Sequence, residues 1–216
     1  RLFTCGFEEN NDNETIWTSA FNAAATIVTT APHSGTYHAR FNSTGGGYVG
    51  MSRNISANVT SGTYFCRFYL RLVNLPSGNN QIFAMRNASA GNNLTVSVLT
   101  TGVLRLTNGI SGLSTTGVEV LSTGVWYRIE VRYLISDTVG ELELRLFSGD
   151  STTALETLLR TGEDTLATNF VEIAWTSSGL PYDYYFDDLA INDATGSFQT
   201  SWIGPGKIAL IEPASD

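Results

Sequence analysis

Apolar and polar residues alternate with a period of two along the whole chain, and this pattern limits the fold more than any other feature. The stretch from Thr63 to Val73 shows it most clearly. Its inward face is predicted to carry Tyr64, Cys66, Phe68, Leu70 and Leu72, and its outward face Phe65, Arg67, Tyr69 and Arg71. No long stretch carries apolar residues at helical spacing. The pattern therefore predicts an all-β protein.

A β-hairpin is predicted where Trp126 to Ile135 and Glu141 to Phe147 alternate in the same way around a turn at Asp137 to Gly140. Further strands are predicted at Leu2 to Glu8, Tyr37 to Asn42, Gln81 to Arg86, Leu94 to Leu99, Val103 to Thr107, Phe170 to Thr176 and Tyr184 to Asn192. Many short strands with Gly, Asn and Ser at the turns indicate a two-sheet antiparallel jelly-roll sandwich. One helical turn is expected at Thr153 to Arg160, because Thr153 and Glu156 match a capping box.

The composition limits the partners of such a sandwich. The 216 residues are 42% hydrophobic but only 15% charged, so Thr, Ser, Asn and Gly must supply most of the polar surface. A net charge of -8 and the absence of a basic run disfavour a nucleic-acid partner. No apolar stretch is long enough to insert into a membrane. A polar coat with a single lysine is typical of secreted and virion proteins, and a start at Arg1 suggests a processed product or part of a longer chain.

The last part of the chain differs in character from the rest. Residues 1–195 are predicted to form the sandwich, and residues 196–216 a C-terminal extension loosened by glycine and proline before a short apolar strand at Lys207 to Ile211. A strand beyond the closing strand of the domain needs a partner edge. We therefore predict that residues 196–216 form an assembly arm, with Trp202, Ile208, Leu210 and Ile211 as its contact residues.

Paired carboxylates are the groups expected of a glycan hydrolase, because one protonates the leaving oxygen while the other attacks or stabilises. Glu141 and Glu143 come nearest to this arrangement, since they share one strand face. Arg132 and Arg145 are predicted to lie beside them in the hairpin, which favours surface ion pairs. The two histidines match no catalytic triad or zinc spacing. We therefore predict that the chain is not an enzyme.

Cys5 and Cys66 both fall on the apolar side of predicted strands. Two buried free thiols are expected, and a disulfide that closes a long loop is the alternative. Aromatic rings that stack on sugars are a second open question, because any such ring can also pack in the core. The candidates for glycan binding are Trp17, Trp175, Tyr182 and Tyr184.

The order of the motifs resembles the concanavalin A-like lectin/glucanase superfamily, including laminin G-like domains, and especially the version found in phage virion proteins. The resemblance lies in five stretches along the chain: Gly6 to Glu8, Ser34 to Arg40, Tyr64 to Leu75, Trp126 to Val131 and Tyr185 to Asp193. It implies the sandwich fold for about nine-tenths of the chain. It implies little about activity, since this fold carries lectins, hydrolases, lyases and assembly modules.

The resemblance also implies a structural calcium ion. First and last strands of jelly rolls often lie side by side, which brings Glu8 near Asp187 and Asp188. Carboxylate oxygens of this kind suit calcium. The alternative is that turn amides and arginines satisfy these carboxylates.

Two functions are predicted. The first is a non-catalytic virion structural protein, either a capsid decoration or a tail component, whose partners are other virion proteins or copies of itself. The second is a carbohydrate-binding module of a secreted protein, with cell-surface glycans as its partners. Both place the protein on a virion surface or outside the cell.

Overall fold

A computed structural model shows how these strands are arranged. It describes residues 2–9, 17, 19–21, 25–44, 50–55, 61–89, 91–173, 181–195, 197 and 199–208. The strands in this part of the chain are β1 (Phe3–Cys5), β2 (Ser19–Phe21), β3 (Ala25–Val28), β4 (His38–Ser43), β5 (Gly50–Asn54), β6 (Gly62–Leu72), β7 (Asn80–Arg86), β8 (Asn92–Val98), β9 (Val103–Asn108), β10 (Ser114–Val120), β11 (Trp126–Ile135), β12 (Gly140–Ser148), β13 (Glu156–Glu163), β14 (Phe170–Ile173) and β15 (Tyr182–Asp193).

The strands form two sheets in which every described pairing is antiparallel. The eight-stranded sheet has the order β13-β12-β11-β6-β15-β4-β3, and β1 pairs with the later part of β15. The seven-stranded sheet has the order β10-β9-β8-β7-β14-β5-β2. The prediction of a two-sheet antiparallel jelly-roll sandwich is confirmed. Among the described residues there is no helix, and so none long and apolar enough to cross a membrane.

The hydrophobic core lies between the two sheets. Alternate residues of each strand point into it, as the period of two requires. On β6 the predicted inward residues Tyr64, Cys66, Phe68, Leu70 and Leu72 are all buried in this core. The predicted hairpin is also confirmed, because β11 and β12 pair along most of their length.

The helical turn predicted at Thr153 to Arg160 is wrong. Residues from Glu156 onward form β13, which pairs with β12 and buries Leu158. The carboxylate of Glu156 does not cap a helix but accepts a hydrogen bond from the main-chain amide of Val118, at 2.6 Å. A partner strand therefore outweighed the local capping pattern.

The centre of the eight-stranded sheet is buried on both faces. Phe65, Arg67 and Tyr69 on the outward face of β6 are 6%, 4% and 0% exposed, although the alternation predicted a solvent-facing side. Segments outside the sheet cover this face, as described below. Cys5 and Cys66 are buried and unbridged, as expected. Burial raises the pKa of the Cys5 thiol to about 12 and raises that of Cys66 as well.

Candidate functional site

Two regions carry functional groups: a buried carboxylate cluster on the eight-stranded sheet and a polar face on the seven-stranded sheet. The cluster forms where the register of β15 against β6 shifts between Asp187 and Ala190. Asp188 has a positive φ of 49° there, a conformation that non-glycine residues seldom adopt. Such a bulge re-aims side chains that would otherwise alternate. As a result Asp187 and Asp188 are adjacent and fully buried.

Donors from distant parts of the chain hold the two carboxylates. His33 Nδ1 lies 2.7 Å from Asp188 Oδ2, and the Ser34 hydroxyl donates to Asp188 Oδ1 at 3.1 Å. The main-chain amides of His33 and Ser34 donate to Asp187 Oδ2 at 3.1 and 3.2 Å. The amide of Ile208 donates to Asp188 Oδ1 at 2.6 Å. The loop before β4 and the C-terminal segment therefore meet at the bulge.

The cluster offers a cation two carboxylates and an imidazole nitrogen, but calcium prefers oxygen ligands, and protein donors already contact every oxygen of both carboxylates. Burial, together with the charge of Asp188, raises the pKa of Asp187 to about 8. Ligand atoms of His33, Asp187 and Asp188 all lie within 4.8 Å of one another. A cation would compensate the buried negative charge, and carboxylate oxygens suit calcium. Calcium binding itself stays a prediction.

Glu8, the third predicted calcium ligand, has a different set of contacts. Its carboxylate accepts hydrogen bonds from the main-chain amides of Thr36 and Tyr37, at 3.0 and 3.3 Å. Gly35 lies so close to this carboxylate that an added Cβ would clash with it. The described residues thus join Asp187 and Asp188 to His33 rather than to Glu8, while turn amides satisfy Glu8. His33 is the residue that the sequence analysis missed.

His33 also connects the cluster to the surface. Its ring stacks on Tyr69, with the ring centroids 3.5 Å apart, and its Nε2 lies 3.4 Å from Asp150 Oδ1. Tyr69 donates to the same Asp150 oxygen at 2.5 Å. Both ring nitrogens of His33 therefore face carboxylates, with Asp188 on the buried side and Asp150 on the exposed side. This arrangement holds the ring in place and leaves neither nitrogen directed at a substrate.

Residues 199–208, which we call the C-terminal strap, lie on the outward face of the eight-stranded sheet. Trp202 lies against Phe65, and the guanidinium of Arg145 lies 3.9 Å from the centroid of the Trp202 ring. Arg67 donates to the carbonyl of Gly204 at 3.3 Å and to the carbonyl of Asp188 at 3.0 Å. The strap therefore covers β6 and closes the carboxylate cluster.

The described part of the strap packs on the chain's own sandwich instead of extending away from it, while assembly through residues 196–216 stays a prediction. Trp202 and Ile208 are half-buried against the chain's own sandwich, and Gly6 packs directly on Ile208. Lys207 and Ile208 are not part of a strand. Leu210 and Ile211, the other two predicted contact residues, lie outside the described residues.

Three of the four aromatic residues predicted to bind glycans are in the core. Trp17, Tyr182 and Tyr184 are 2%, 1% and 0% exposed. Trp17 packs against the rings of Phe3 and Phe7, and the rings of Tyr182 and Tyr184 lie 4.9 Å apart. A ring at such a position has no free face for a sugar, so the stacking prediction is wrong for these three. Trp175 lies outside the described residues.

The paired carboxylates of the hairpin form ion pairs, as predicted. Arg132 contacts the carboxylates of both Glu141 and Glu143, and Arg145 Nε donates to Glu143 at 2.8 Å. Each glutamate thus faces an arginine on the outward side of the sheet. This geometry confirms the predicted ion pairs, although Glu143 is buried.

The second region is the face of the seven-stranded sheet that points away from the core, which we call the polar face. Small polar side chains form its centre. Ser52, Thr95 and Ser97 are 3%, 8% and 6% exposed; Thr95 and Ser97 each lie between two core residues of β8, and Ser52 follows the core residue Met51 on β5. Longer side chains, among them Gln81 and Arg105, are half-buried beside them.

One row across the polar face contains unpaired donors. Ser97 on β8 lies opposite Gln81 on β7 and opposite Arg105 on β9. Gln81 Nε2 and Arg105 Nε are buried, and neither forms a hydrogen bond within the described structure. Buried polar atoms are nearly always paired in proteins, so these two donors form a candidate position for a ligand or for water.

An ion pair lies further along the same face. Arg86 Nη1 donates to Glu172 Oε1 at 2.6 Å, and Glu172 is 3% exposed. Burial raises the pKa of Glu172, while the Arg86 hydrogen bond and charge oppose this rise. The second oxygen of Glu172 is buried and has no partner among the described residues. The sequence analysis did not single out any residue of the polar face, because alternation marks its side chains only as the outward half of ordinary strands.

The fold defines a structural class, the two-sheet antiparallel jelly-roll sandwich. No protein-family model matches the chain, and no curated protein matches it. Among solved structures, the chain is similar to the cellulose-induced protein Cip1, with 17% identity and a TM-score of 0.68 over 94% of this chain and 100% of that one. It is also similar to the alginate lyase Aly36B, with 13% identity and a TM-score of 0.53 over 81% of this chain and 86% of that one.

A third similar structure is the binding domain of botulinum neurotoxin serotype C1. The two chains are 11% identical with a TM-score of 0.54, over 79% of this chain and 43% of the other. At these identities the likeness shows the fold alone. The three structures include no protein described as part of a virion, so the virion role stays a prediction from the sequence.

Proposed function

We propose that this chain is a non-catalytic, extracellular glycan-binding domain, and that the polar face of the seven-stranded sheet is its binding surface. The proposal rests on one observation: Gln81 and Arg105 lie on either side of Ser97, and each has a buried nitrogen without a hydrogen bond among the described residues. Sugar hydroxyls are both donors and acceptors. They therefore pair with the amide, hydroxyl and guanidinium groups that this face offers.

The shape of the polar face supports the same function. Small side chains lie at its centre and longer ones stand beside them, so a chain of sugars can lie close to the strands. An unpaired buried donor costs free energy, about 1–3 kcal/mol for each group. A ligand that supplies the missing acceptors recovers that cost, and this is a physical source of binding affinity.

The absence of catalysis is supported by how the ionisable groups are engaged. Glu141 and Glu143 form ion pairs on the opposite sheet, and Glu172 is paired with Arg86 on the polar face. The ring nitrogens of His33 face two aspartates. A glycan hydrolase needs a carboxylic acid and a second carboxylate on either side of one bond, and no two carboxylates of the described polar face are placed in this way.

The similar structures support a binding role only through their fold. One of them is named as a binding domain, and another is a lyase that acts on alginate. Because one similar structure is a lyase, the experiment must also test whether this chain cleaves a polysaccharide. The polar, lysine-poor composition favours an extracellular location, where glycans are abundant.

The test compares binding and turnover in one panel of soluble polysaccharides. Native affinity electrophoresis measures retardation of the protein, and release of reducing or unsaturated ends measures cleavage. Ser97→Trp fills the centre of the polar face and is expected to abolish retardation. Thr157→Trp adds the same ring at an exposed position of β13 on the other sheet and serves as the matched control.

Retardation that survives Ser97→Trp in a protein with an unchanged melting curve contradicts the proposed surface. A protein that binds no polysaccharide of the panel contradicts glycan binding. Turnover that is lost on substituting Glu172 or Glu141 by Gln contradicts the non-catalytic role.

A further inference from the structure

We propose that the polar face selects anionic glycans and that Arg105 binds the carboxylate or sulfate group of the sugar. This inference rests on the proposed function and names its substrate class. Arg105 is a specificity residue in this proposal, because the hydroxyl and amide groups around it bind charged and neutral sugars alike.

The partners of the arginines carry the argument. The chain has eleven arginines, and the structure describes all of them except Arg1. Of the other described arginines, six form ion pairs with aspartate or glutamate, two donate to main-chain carbonyls and one lies over an aromatic ring. Arg105 has none of these contacts with any described residue, and its Nε is buried without a hydrogen bond.

The surroundings of Arg105 leave its charge uncompensated. Its cross-strand neighbours are Ser97 on β8 and Thr116 on β10, which carry no charge. Glu172 on β14 is three strands away, or about 14 Å at the usual strand spacing. That distance exceeds the Debye length of about 8 Å at physiological ionic strength. Arg105 thus forms no ion pair with a described carboxylate, on a protein whose net charge is -8.

A guanidinium group in this setting is suited to a planar or tetrahedral anion. Its donors form a rigid fork that matches a carboxylate or sulfate, and charge-assisted hydrogen bonds are roughly twice as strong as neutral ones. Gln81 lies two strands from Arg105, about 10 Å away. The two unpaired donors thus span more than one sugar residue, which indicates a polymer or an oligosaccharide rather than a monosaccharide.

The experiment measures the affinity of the full chain for four defined probes. Sodium polygalacturonate carries carboxylates and dextran sulfate carries sulfates, while dextran and hydroxyethylcellulose are neutral. We expect the intact protein to bind at least one anionic probe more tightly than either neutral probe. Arg105→Gln should weaken that binding by roughly 10- to 100-fold, the usual loss for a hydrogen bond to a charged group.

Two further variants make the result specific. Arg132→Gln removes an arginine that pairs with Glu141, and it should change anion binding less than about twofold because Arg132 lies on the sheet opposite the polar face. Arg105→Lys keeps the charge without the fork and should restore part of the affinity. Melting curves of each variant confirm that it is folded.

The outcomes separate this inference from the proposed function. If neutral and anionic probes bind equally and Arg105→Gln has no effect, the inference is wrong while glycan binding stands. If an equal loss follows from Arg132→Gln, general charge explains the preference and the inference is also wrong. If no probe binds, both proposals fail. A preference for polygalacturonate or for dextran sulfate that Arg105→Gln removes upholds the inference and identifies the anion, whereas a preference that Arg105→Gln leaves unchanged contradicts it.

Discussion

A pH-dependent effect on stability is expected from His38. Its ring is fully buried between Trp126 and Tyr185, with ring centroids 5.8 and 4.5 Å away. Neither ring nitrogen forms a hydrogen bond in the described part of the chain. Burial, and to a lesser extent the charge of Arg71, lowers the pKa of His38 from 6.5 to about 4. The folded protein therefore keeps this imidazole neutral where the unfolded chain protonates it.

The sign of the effect follows from proton binding. Between pH 6.5 and pH 4 the unfolded chain binds the proton and the folded chain does not, so acid favours unfolding. The stability that His38 contributes is complete above its unfolded pKa and is lost as the pH falls through the folded pKa. The pKa difference corresponds to about 3 kcal/mol in full, and about 2 kcal/mol of it is lost by about pH 5.

The measurement is denaturant unfolding at pH 7 and pH 5 for the intact protein and for His38→Phe. Phenylalanine keeps an aromatic ring between Trp126 and Tyr185 but does not titrate, while all carboxylates titrate equally in both proteins. We expect the free energy of unfolding of the intact protein to fall by about 2 kcal/mol more than that of the variant. Equal losses in the two proteins would refute the assignment of a depressed pKa to His38.

Three other predictions concern the carboxylate cluster, the strap and the thiols. A calcium chelator should lower the melting temperature and added calcium should restore it, since a ligand of the folded state stabilises by mass action. No such response is expected in the Asp188→Asn variant. An unchanged melting temperature of the intact protein would show that no cation binds at this cluster. A chain that ends at Thr195 should still melt cooperatively but with about 2–4 kcal/mol less stability. It loses the hydrogen bond from the Ile208 amide to Asp188 and the contact of Trp202 with Phe65. Equal melting temperatures would show that the strap does not stabilise the sandwich. Cys5 and Cys66 should react with a thiol reagent only on unfolding, because burial raises both pKa values and limits access; rapid labelling at native conditions would contradict their burial.

The sequence alone was enough to predict the sandwich, because side chains of a strand alternate whatever the rest of the chain does. The core residues of β6 and the hairpin of β11 and β12 follow from that local rule. The ion pairs of Glu141 and Glu143 follow as well, since their partners lie in the same hairpin. Even the burial of Cys5 and Cys66 could be predicted from their strand positions.

Tertiary packing decided everything that depends on segments far apart in the chain. His33 joins Asp188 across 155 residues, and a bulge in β15 turns that carboxylate toward it. The strap covers one outward face of the sandwich, which buries Arg67 and Tyr69 where alternation predicts solvent. Arg105 is left unpaired because its cross-strand neighbours, Ser97 and Thr116, carry no charge. A period of two specifies which side of a strand a residue occupies, but only the folded chain determines what lies against that side.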